Sequence, residues 1–139
     1  MAFVQAVLDS FRMKPRAIDH LVLTVRDLDA ARETYRRLGF TLTPPARHPF
    51  GTGNSLALMD GSYLELLAVA DPAAIPEATA TRFSFGAFNR DYLKEREGLS
   101  MIALQSDDAA ADRADFDKGN LPVYEPAHFA RMATGPDGV

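Results

Sequence analysis

The hydrophobic pattern of residues 17–69 changes period in a set order, and that order restricts the fold more than any other feature of the chain. From Ala17 to Val25 apolar residues recur at every second position, which predicts a strand. The next stretch repeats at helical spacing, beginning at a capping residue, Asp27, and ending at Gly39. Three further strand-like stretches follow before residue 70. The predicted order is βαβββ, an α+β arrangement.

The three later strands are separated by one loop and one tight turn. The first, Phe40 to Thr43, ends at a proline pair, because a proline nitrogen cannot donate to a β-ladder. A loop from Ala46 to Asn54 follows. The other two strands, Ser55 to Met59 and Ser62 to Val69, flank Asp60-Gly61, a strong signal for a hairpin turn. We therefore expect a long loop before a hairpin.

A connector rich in proline and alanine, at residues 71–80, precedes a second βα pattern. Phe83 to Glu97 predicts a helix, and Ser100 to Gln105 predicts a strand. A further helix begins after its cap, Ser106, and ends at Gly119. The second half of the chain is therefore predicted to open as the first does.

The two βα openings match when Val22–Ala30 is superposed on Ile102–Ala110, which aligns Asp27 with Asp107. Beyond residue 120 two short strand-like stretches remain. We therefore predict that a second module is present but incomplete. Its candidate strands are Leu121–Glu125 and Phe129–Met132.

We interpret the chain as one domain in four consecutive parts. An N-terminal helix occupies residues 1–15, and the complete βαβββ module occupies residues 16–70. Residues 71–98 form a linker and helix, and residues 99–139 form a truncated second βα(ββ) module. A hydrophobic content of 47% is sufficient for one continuous core.

Composition excludes several kinds of function. A formal net charge of −4 gives no basic field for phosphates, so nucleic acid is not an expected partner. The chain has no cysteine, which excludes disulfides, zinc-thiolate sites and cysteine nucleophiles. No apolar run approaches membrane-spanning length, and no basic leader is present. We therefore expect a cytoplasmic protein without a membrane partner.

Three motifs of the first module occur together. His20 opens the first strand, the helix ends in Leu-Gly-Phe at residues 38–40, and a His-Pro-Phe-Gly-Thr-Gly-Asn loop at 48–54 precedes Tyr-Leu-Glu-Leu at 63–66. In this order and spacing the stretch Ala17 to Val69 resembles the glyoxalase-like domains of the vicinal-oxygen-chelate superfamily, which groups glyoxalases, bleomycin-resistance proteins and extradiol dioxygenases. The resemblance continues more loosely into the second βα opening.

The resemblance implies βαβββ modules whose curved mixed sheets enclose a cleft. In that superfamily a divalent metal is often held by residues from the first and last strands of the modules. By position, this nominates His20 and Glu65 as metal ligands, with Glu65 also the catalytic proton acceptor. The implied metal is zinc, nickel, iron or manganese.

Strand alternation agrees with this nomination. His20 lies on the face opposite Leu21, and Glu65 shares a face with Tyr63 and Leu67. If helices cover the more apolar faces, both polar groups point into the cleft. A carboxylate among leucines must be paired, metal-bound or neutral, because an isolated buried charge costs several kcal/mol.

Glu65 and His20 each have an alternative, purely structural interpretation. Glu65 can reach water at a sheet edge, or it can pair with Arg26 or Arg47. A histidine near a strand start commonly bonds to a backbone carbonyl, which is the structural alternative for His20.

The loop supplies three candidate substrate-binding residues, His48, Thr52 and Asn54. Gly51 and Gly53 permit backbone conformations that bring amide groups close to a ligand. Each of the three side chains can instead close the turn through local bonds. His128 is interpreted as loop surface, and a further aromatic set is interpreted as core: Phe83, Phe85, Phe88 and Tyr92.

The second module does not complete a metal site. Superposing the two openings places Ser100 at the position of His20, and serine is a poor ligand for a divalent ion. One nitrogen and one oxygen ligand remain, whereas catalytic sites usually use three protein groups. A metal bound by this chain alone would be weakly held.

Three functions are compatible with these features. The first is a metal-dependent lyase, isomerase or dioxygenase acting on a small oxygenated substrate. The second is a metal-free small-molecule binding protein of the bleomycin-resistance kind. The third is an incomplete unit completed by another copy of itself, which predicts a homodimer.

Overall fold

The computed structural model describes residues 16–129, and the predicted N-terminal helix at 1–15 lies outside them. The described part forms a five-stranded sheet with three α-helices. No helix within it is long and apolar enough to cross a membrane. The strands are β1 (Ile18–Thr24), β2 (Ala46–Arg47), β3 (Thr52–Met59), β4 (Ser62–Val69) and β5 (Gly98–Leu104), and the helices are α1 (Leu28–Arg37), α2 (Phe85–Glu95) and α3 (Ala109–Lys118).

The sheet is mixed, curved and unclosed, with the strand order β2-β3-β4-β1-β5. The central strands β1 and β4 are parallel, and the other neighbours are antiparallel. This topology confirms the predicted βαβββ module and the second βα opening. It also makes the first and last strands of the module direct neighbours.

Helices α1 and α2 cover opposite faces of the sheet. On one face, the α1 residue Arg32 donates from Nε to Oγ of Ser55 on β3 at 3.2 Å. On the other, Thr24 of β1 donates to Oδ1 of Asn89 on α2 at 2.5 Å. Because His20 alternates in phase with Thr24, its side chain projects from the α2 face. Strand alternation therefore places His20 and Glu65 on one face as expected, but that face also packs against α2, so the helices do not cover only the more apolar face.

Two local predictions in the first module are confirmed by backbone detail. Asp27 is the N-cap of α1, and its Oδ1 accepts a hydrogen bond from the Ala30 amide at 2.9 Å. Asp60-Gly61 forms the turn between β3 and β4, with Gly61 at a φ of 72°. Both signals are local, which is why they could be recognised without tertiary information.

The predicted strand at residues 40–43 forms only an isolated bridge, Leu42 with Ala57. Two backbone bonds flank this bridge, and neither extends it into a regular strand: the Thr43 amide donates to Leu56, and the Leu58 amide donates to Thr41. Pro44 and Pro45 cannot donate, so regular pairing resumes only beyond them.

The predicted loop at residues 46–54 is shorter than expected. Its first two residues form β2 and pair with Gly53 and Asn54. β3 begins at Thr52, so two of the loop's candidate site residues lie on a strand. The glycines obscured this pairing in the sequence, because glycine is uncommon within strands.

The second half contains two errors of prediction. Asp108, not Ser106, caps α3 by accepting bonds from the amides of Ala110 and Ala111. Ser106 instead donates to Asp112 at 2.6 Å. The repeat therefore aligns Asp27 with Asp108 rather than Asp107, since each is the cap immediately before its helix.

The helix predicted over residues 83–97 is confirmed as α2, which begins after its cap Ser84. The candidate strand Leu121–Glu125 is wrong, because residues 121–129 have no regular secondary structure. The Glu125 amide donates to the Thr81 carbonyl. Most of the other candidate strand, Phe129–Met132, lies outside the described residues.

A buried polar cluster joins β1, α2 and β5. Oδ1 of Asn89 accepts hydrogen bonds from Thr24 at 2.5 Å and from Ser100 at 2.8 Å, and Nδ2 of Asn89 donates to the Phe85 carbonyl at 2.9 Å. The Asn89 side chain is fully buried. Ser100 thus links β5 to β1 and α2.

Asn89→Ala is expected to lower the free energy of unfolding by about 1 to 3 kcal/mol, because it removes the acceptor of the buried Thr24 hydroxyl and the half-buried Ser100 hydroxyl. Urea denaturation followed by circular dichroism measures this loss. Thr34→Ala is the control, since exposed Thr34 bonds only within α1, and we expect a change within about 0.5 kcal/mol. Equal losses in the two variants would contradict the structural importance of the cluster.

Candidate functional site

A cavity of about 650 Å³ lies on the α2 face of the sheet. Its floor comes from three neighbouring strands, and its sides come from the loop around His48, the start of α2 and the segment at 127–129. Volumes of this size are typical of small-molecule sites. The sheet residues that line it are His20, Asn54, Leu56, Tyr63 and Glu65.

His20 and Glu65 converge in this cavity. In the parallel register of β1 and β4, His20 lies beside Tyr63, and Glu65 lies two residues further along on the same face. Nε2 of His20 is 3.6 Å from Oε2 of Glu65. The structure thus brings together the two residues nominated from the sequence, and their roles remain predictions.

Glu65 is a buried carboxylate, 7% exposed, on an interior strand. Nδ2 of Asn54 donates to its Oε1 at 2.5 Å. The alternative of a solvated edge position is therefore wrong. The proposed arginine partners lie elsewhere: Arg26 pairs with Glu97 at 3.3 Å, and Arg26 and Arg47 line a second cavity.

The imidazole of His20 is held on two sides. Its Nδ1 is 2.6 Å from Oδ1 of Asp19, and its ring stacks on Tyr63 with centroids 4.6 Å apart and an interplanar angle of 9°. A carboxylate on Nδ1 orients the ring and leaves Nε2 directed at Glu65. The expected alternative, a bond to a backbone carbonyl, is not among the His20 contacts in residues 16–129.

The three candidate substrate-binding residues differ in whether they line the cavity. His48 and Asn54 line the cavity, whereas Thr52 does not. Thr52 is fully buried, and its Oγ1 is 2.7 Å from Nδ1 of His48. Thr52 therefore orients His48 from the strand, much as Asp19 orients His20.

An aromatic group surrounds His48. Its ring stacks on Phe50 at 4.9 Å, and Phe129 meets the Phe50 ring edge-on at 5.0 Å. Phe85 meets Phe50 edge-on at 6.0 Å. Sequence reasoning missed Phe50, although its place two residues after His48 was a usable signal.

Phe83, Phe85 and His128 also line the cavity, and His128 lies on an exposed loop as expected. Phe83 and Phe85 are half-buried rather than core residues, and both flank the Ser84 cap at the end of α2 that faces the cavity. Phe88 is 40% exposed and outside the lining. A helix start beside a cleft commonly presents its first residues to a ligand.

The donor set of residues 16–129 does not by itself fit a catalytic metal. No group of three or more His, Asp or Glu side chains there is placed to hold an ion. His20 and Glu65 supply one nitrogen and one carboxylate, and Asn54 already donates to that carboxylate. Catalytic metal sites normally require three protein ligands.

The chain belongs to the glyoxalase-like domain family, whose model matches residues 18–137, most of the sequence. This match confirms the resemblance to the glyoxalase-like domains of the vicinal-oxygen-chelate superfamily, and the fold agrees with it. Members of this superfamily often use divalent metals and bind small molecules.

Solved structures of similar fold include epimerases. The methylmalonyl-CoA epimerase from Mycobacterium tuberculosis is 21% identical, with a TM-score of 0.64 and coverage of 87% of this chain and 79% of that one. An epimerase variant from Streptomyces coelicolor, in complex with 2-nitronate-propionyl-CoA, is 25% identical, with a TM-score of 0.57 and coverage of 84% and 81%. A hypothetical protein from Bacillus halodurans C-125 is 17% identical, with a TM-score of 0.61 and coverage of 76% and 70%. The sequence matches no curated protein significantly.

Proposed function

We propose that the chain is a small-molecule isomerase or lyase in which Glu65 accepts a proton from a carbon next to a substrate carbonyl. The observation that supports this most directly is a buried carboxylate inside a cavity, 3.6 Å from a second acid-base group. Glu65 and His20 differ in chemical type and face one another, which suits proton removal and return.

The reaction uses groups that the chain itself supplies. The C–H bond breaks, its proton goes to Glu65, and its electron pair moves to the carbonyl oxygen as an enolate. Asn54 holds the carboxylate through Oε1, so Oε2 is directed toward His20 and the cavity. Asp19 keeps the imidazole oriented, which makes Asp19 and Asn54 positioning residues.

Similarity to the epimerases supports the reaction class. Epimerisation requires removal and return of a proton at one carbon, and the Streptomyces coelicolor protein is 25% identical over most of this chain. The substrate of those enzymes does not transfer by similarity alone, since one fold supports many substrates.

Proton exchange tests this function directly. The purified chain is incubated in D₂O with a panel of small ketones, aldehydes and 2-hydroxycarbonyl compounds, and proton NMR follows the signal of the carbon next to the carbonyl. We expect accelerated loss of that signal for at least one compound. A panel that exchanges at the rate of the protein-free sample would contradict the proposal.

A metal-dependent enzyme would give a different result in the same exchange experiment. Because the described residues offer only two ligands, we expect exchange to survive treatment with a chelator, and elemental analysis to give well below one ion per chain. Zinc, nickel, iron or manganese at one ion per chain, with exchange lost on chelation, would support the metal-dependent enzyme instead.

A metal-free binding protein is the second candidate, and the aromatic walls of the cavity favour it. Such a protein would retain small molecules without altering them. Saturable binding without C–H exchange in any compound would select this candidate over the enzyme.

We propose further that a second copy of the chain covers the β5 side of the sheet. β5 pairs with β1, and no strand of the described part pairs with its other edge. Apolar side chains are exposed there, including Ile102 at 57% and Leu104 at 51%. An exposed apolar strand at a sheet edge invites association.

Light scattering is expected to give the mass of a dimer, and Ile102→Lys is expected to shift that mass toward a monomer. Arg113→Lys, on exposed α3, is the control that retains charge. A monomeric wild type at micromolar concentration would contradict the homodimer.

A further inference from the structure

We propose that residues 127–129 form a strap that closes the cavity at its His48 end, and that Phe129 holds this strap shut. The cavity then opens by release of Phe129, while the chain up to Glu125 stays in place. This inference goes beyond the proposed function, because it concerns access to the cavity and applies whether the protein catalyses a reaction or only binds a molecule.

The aromatic residues that face Phe129 belong to well-bonded parts of the fold. The backbone amide of His48 donates to the Thr52 carbonyl at 2.8 Å, and Nδ1 of His48 is 2.7 Å from Oγ1 of Thr52. Phe50 lies within the turn that these bonds close. Phe85 begins α2, and its carbonyl accepts a hydrogen bond from Asn89 at 2.9 Å. A large displacement of this wall would therefore break several hydrogen bonds at once.

The chain before the strap is fastened to the rest of the fold, whereas the strap is not. The Glu125 amide donates to the Thr81 carbonyl at 2.8 Å, and the Tyr124 carbonyl accepts a hydrogen bond from Nε of Arg113 at 3.1 Å. Within the described part of the chain, no backbone hydrogen bond holds residues 126–129. Segments with few backbone bonds open at a low cost in free energy. The strap can therefore move while Glu125 remains bound.

Phe129 makes the ring contacts that join the strap to the wall. Its ring lies edge-on to His48 at 5.5 Å and to Phe50 at 5.0 Å between centroids, and its side chain is 48% exposed. His48 beneath it is only 8% exposed. Edge-to-face contacts are individually weak, so we expect the open form to be a minor but populated state. Release of Phe129 would expose His48 to solvent.

Chemical modification of His48 measures this opening on the full chain without any cavity ligand. Diethyl pyrocarbonate acylates histidine side chains that reach solvent. The chain has three histidines, and trypsin places each on a separate peptide, so mass spectrometry follows the rate at each residue. N-acetylhistidine in the same solution corrects for loss of the reagent. In the wild type we expect His48 to react more slowly than His128, which is exposed.

Two variants test separate parts of the proposal. Phe129→Ala removes the ring contacts and is expected to raise the rate at His48 about tenfold. Pro126→Gly keeps every side chain that lines the cavity but loosens the backbone before the strap, and it is expected to raise the rate about threefold. Phe40→Ala is the control, because it removes a ring contact with Tyr35 on the α1 side of the sheet and should leave the rate unchanged.

The Pro126 variant distinguishes a moving strap from a static wall. A static wall predicts faster modification of His48 in Phe129→Ala, which loses a covering ring, but no change in Pro126→Gly. An unchanged rate in Pro126→Gly would therefore overturn the proposal, and so would an unchanged rate in Phe129→Ala.

Stability and chemistry are checked separately. Pro126 and Phe129 are both exposed, so we expect both variants to remain folded, and urea denaturation verifies this under the labelling conditions. The labelling experiment contains no substrate. Its result is therefore independent of whether any carbonyl compound exchanges in D₂O.

Discussion

Replacing Glu65 by glutamine is expected to reduce C–H exchange by a factor of about 10² to 10⁴, the usual contribution of a positioned general base. Glutamine is nearly the same size and still offers Oε1 as an acceptor for Asn54, so the cavity should keep its shape. What it loses is the capacity to take a proton at pH 7. NMR exchange rates for the wild type and Glu65→Gln measure the effect.

Two comparisons make this result specific. Glu33→Gln makes the same change on the exposed side of α1 and should leave the exchange rate unaltered. Urea denaturation should show that Glu65→Gln remains folded, because a fall in rate caused by unfolding would carry no information about the base. Full exchange activity in a folded Glu65→Gln protein would exclude Glu65 as the proton acceptor.

Gly51→Ala is expected to cost about 3 to 5 kcal/mol of unfolding free energy, the range of severe substitutions. Gly51 has a φ of 84°, and a Cβ there would lie 2.5 Å from the Asp71 carbonyl oxygen and 2.6 Å from Cγ1 of Ile75. The Asp71 carbonyl belongs to the backbone and cannot shift independently of Gly51, because the amides of Ala70 and Asp71 both donate to the Gly51 carbonyl.

Gly61→Ala provides the matched comparison. Gly61 has a similar φ of 72°, but a Cβ there would meet nothing within 4 Å. Only the left-handed backbone penalty applies, about 1 to 2 kcal/mol. Urea midpoints for both variants separate steric clash from backbone strain, and equal losses would refute the close approach at Gly51.

The role of Gly51 was only partly foreseeable. Its need for glycine followed from the loop sequence, in which a residue free of Cβ allows an unusual turn. The structural role of Gly51 did not follow from the sequence. Its carbonyl accepts hydrogen bonds from the backbone after β4, whereas the sequence suggested an amide exposed to a ligand. The turn thereby fixes His48 and Phe50 against the cavity.

Local sequence signals correctly predicted a strand, a helix cap and a hairpin turn of the first module. The period of two in β1, the Asp27 cap and the Asp60-Gly61 turn each depend on residues close in sequence, and each is present as expected. Errors arose where two local signals competed, as at Ser106 and Asp108. Either side chain can cap a helix, but Asp108 accepts the first α3 amides while Ser106 donates to Asp112.

The sequence by itself determined the βαβββ order and the faces on which His20 and Glu65 lie, because hydrophobic period and strand alternation are properties of neighbouring residues. Only the tertiary structure decided that β1 and β4 lie side by side, with Nε2 and Oε2 3.6 Å apart. It also decided that Phe50, Phe85 and Phe129 meet around one cavity. Residues that far apart in the chain come together through packing of the whole sheet, for which no local pattern exists.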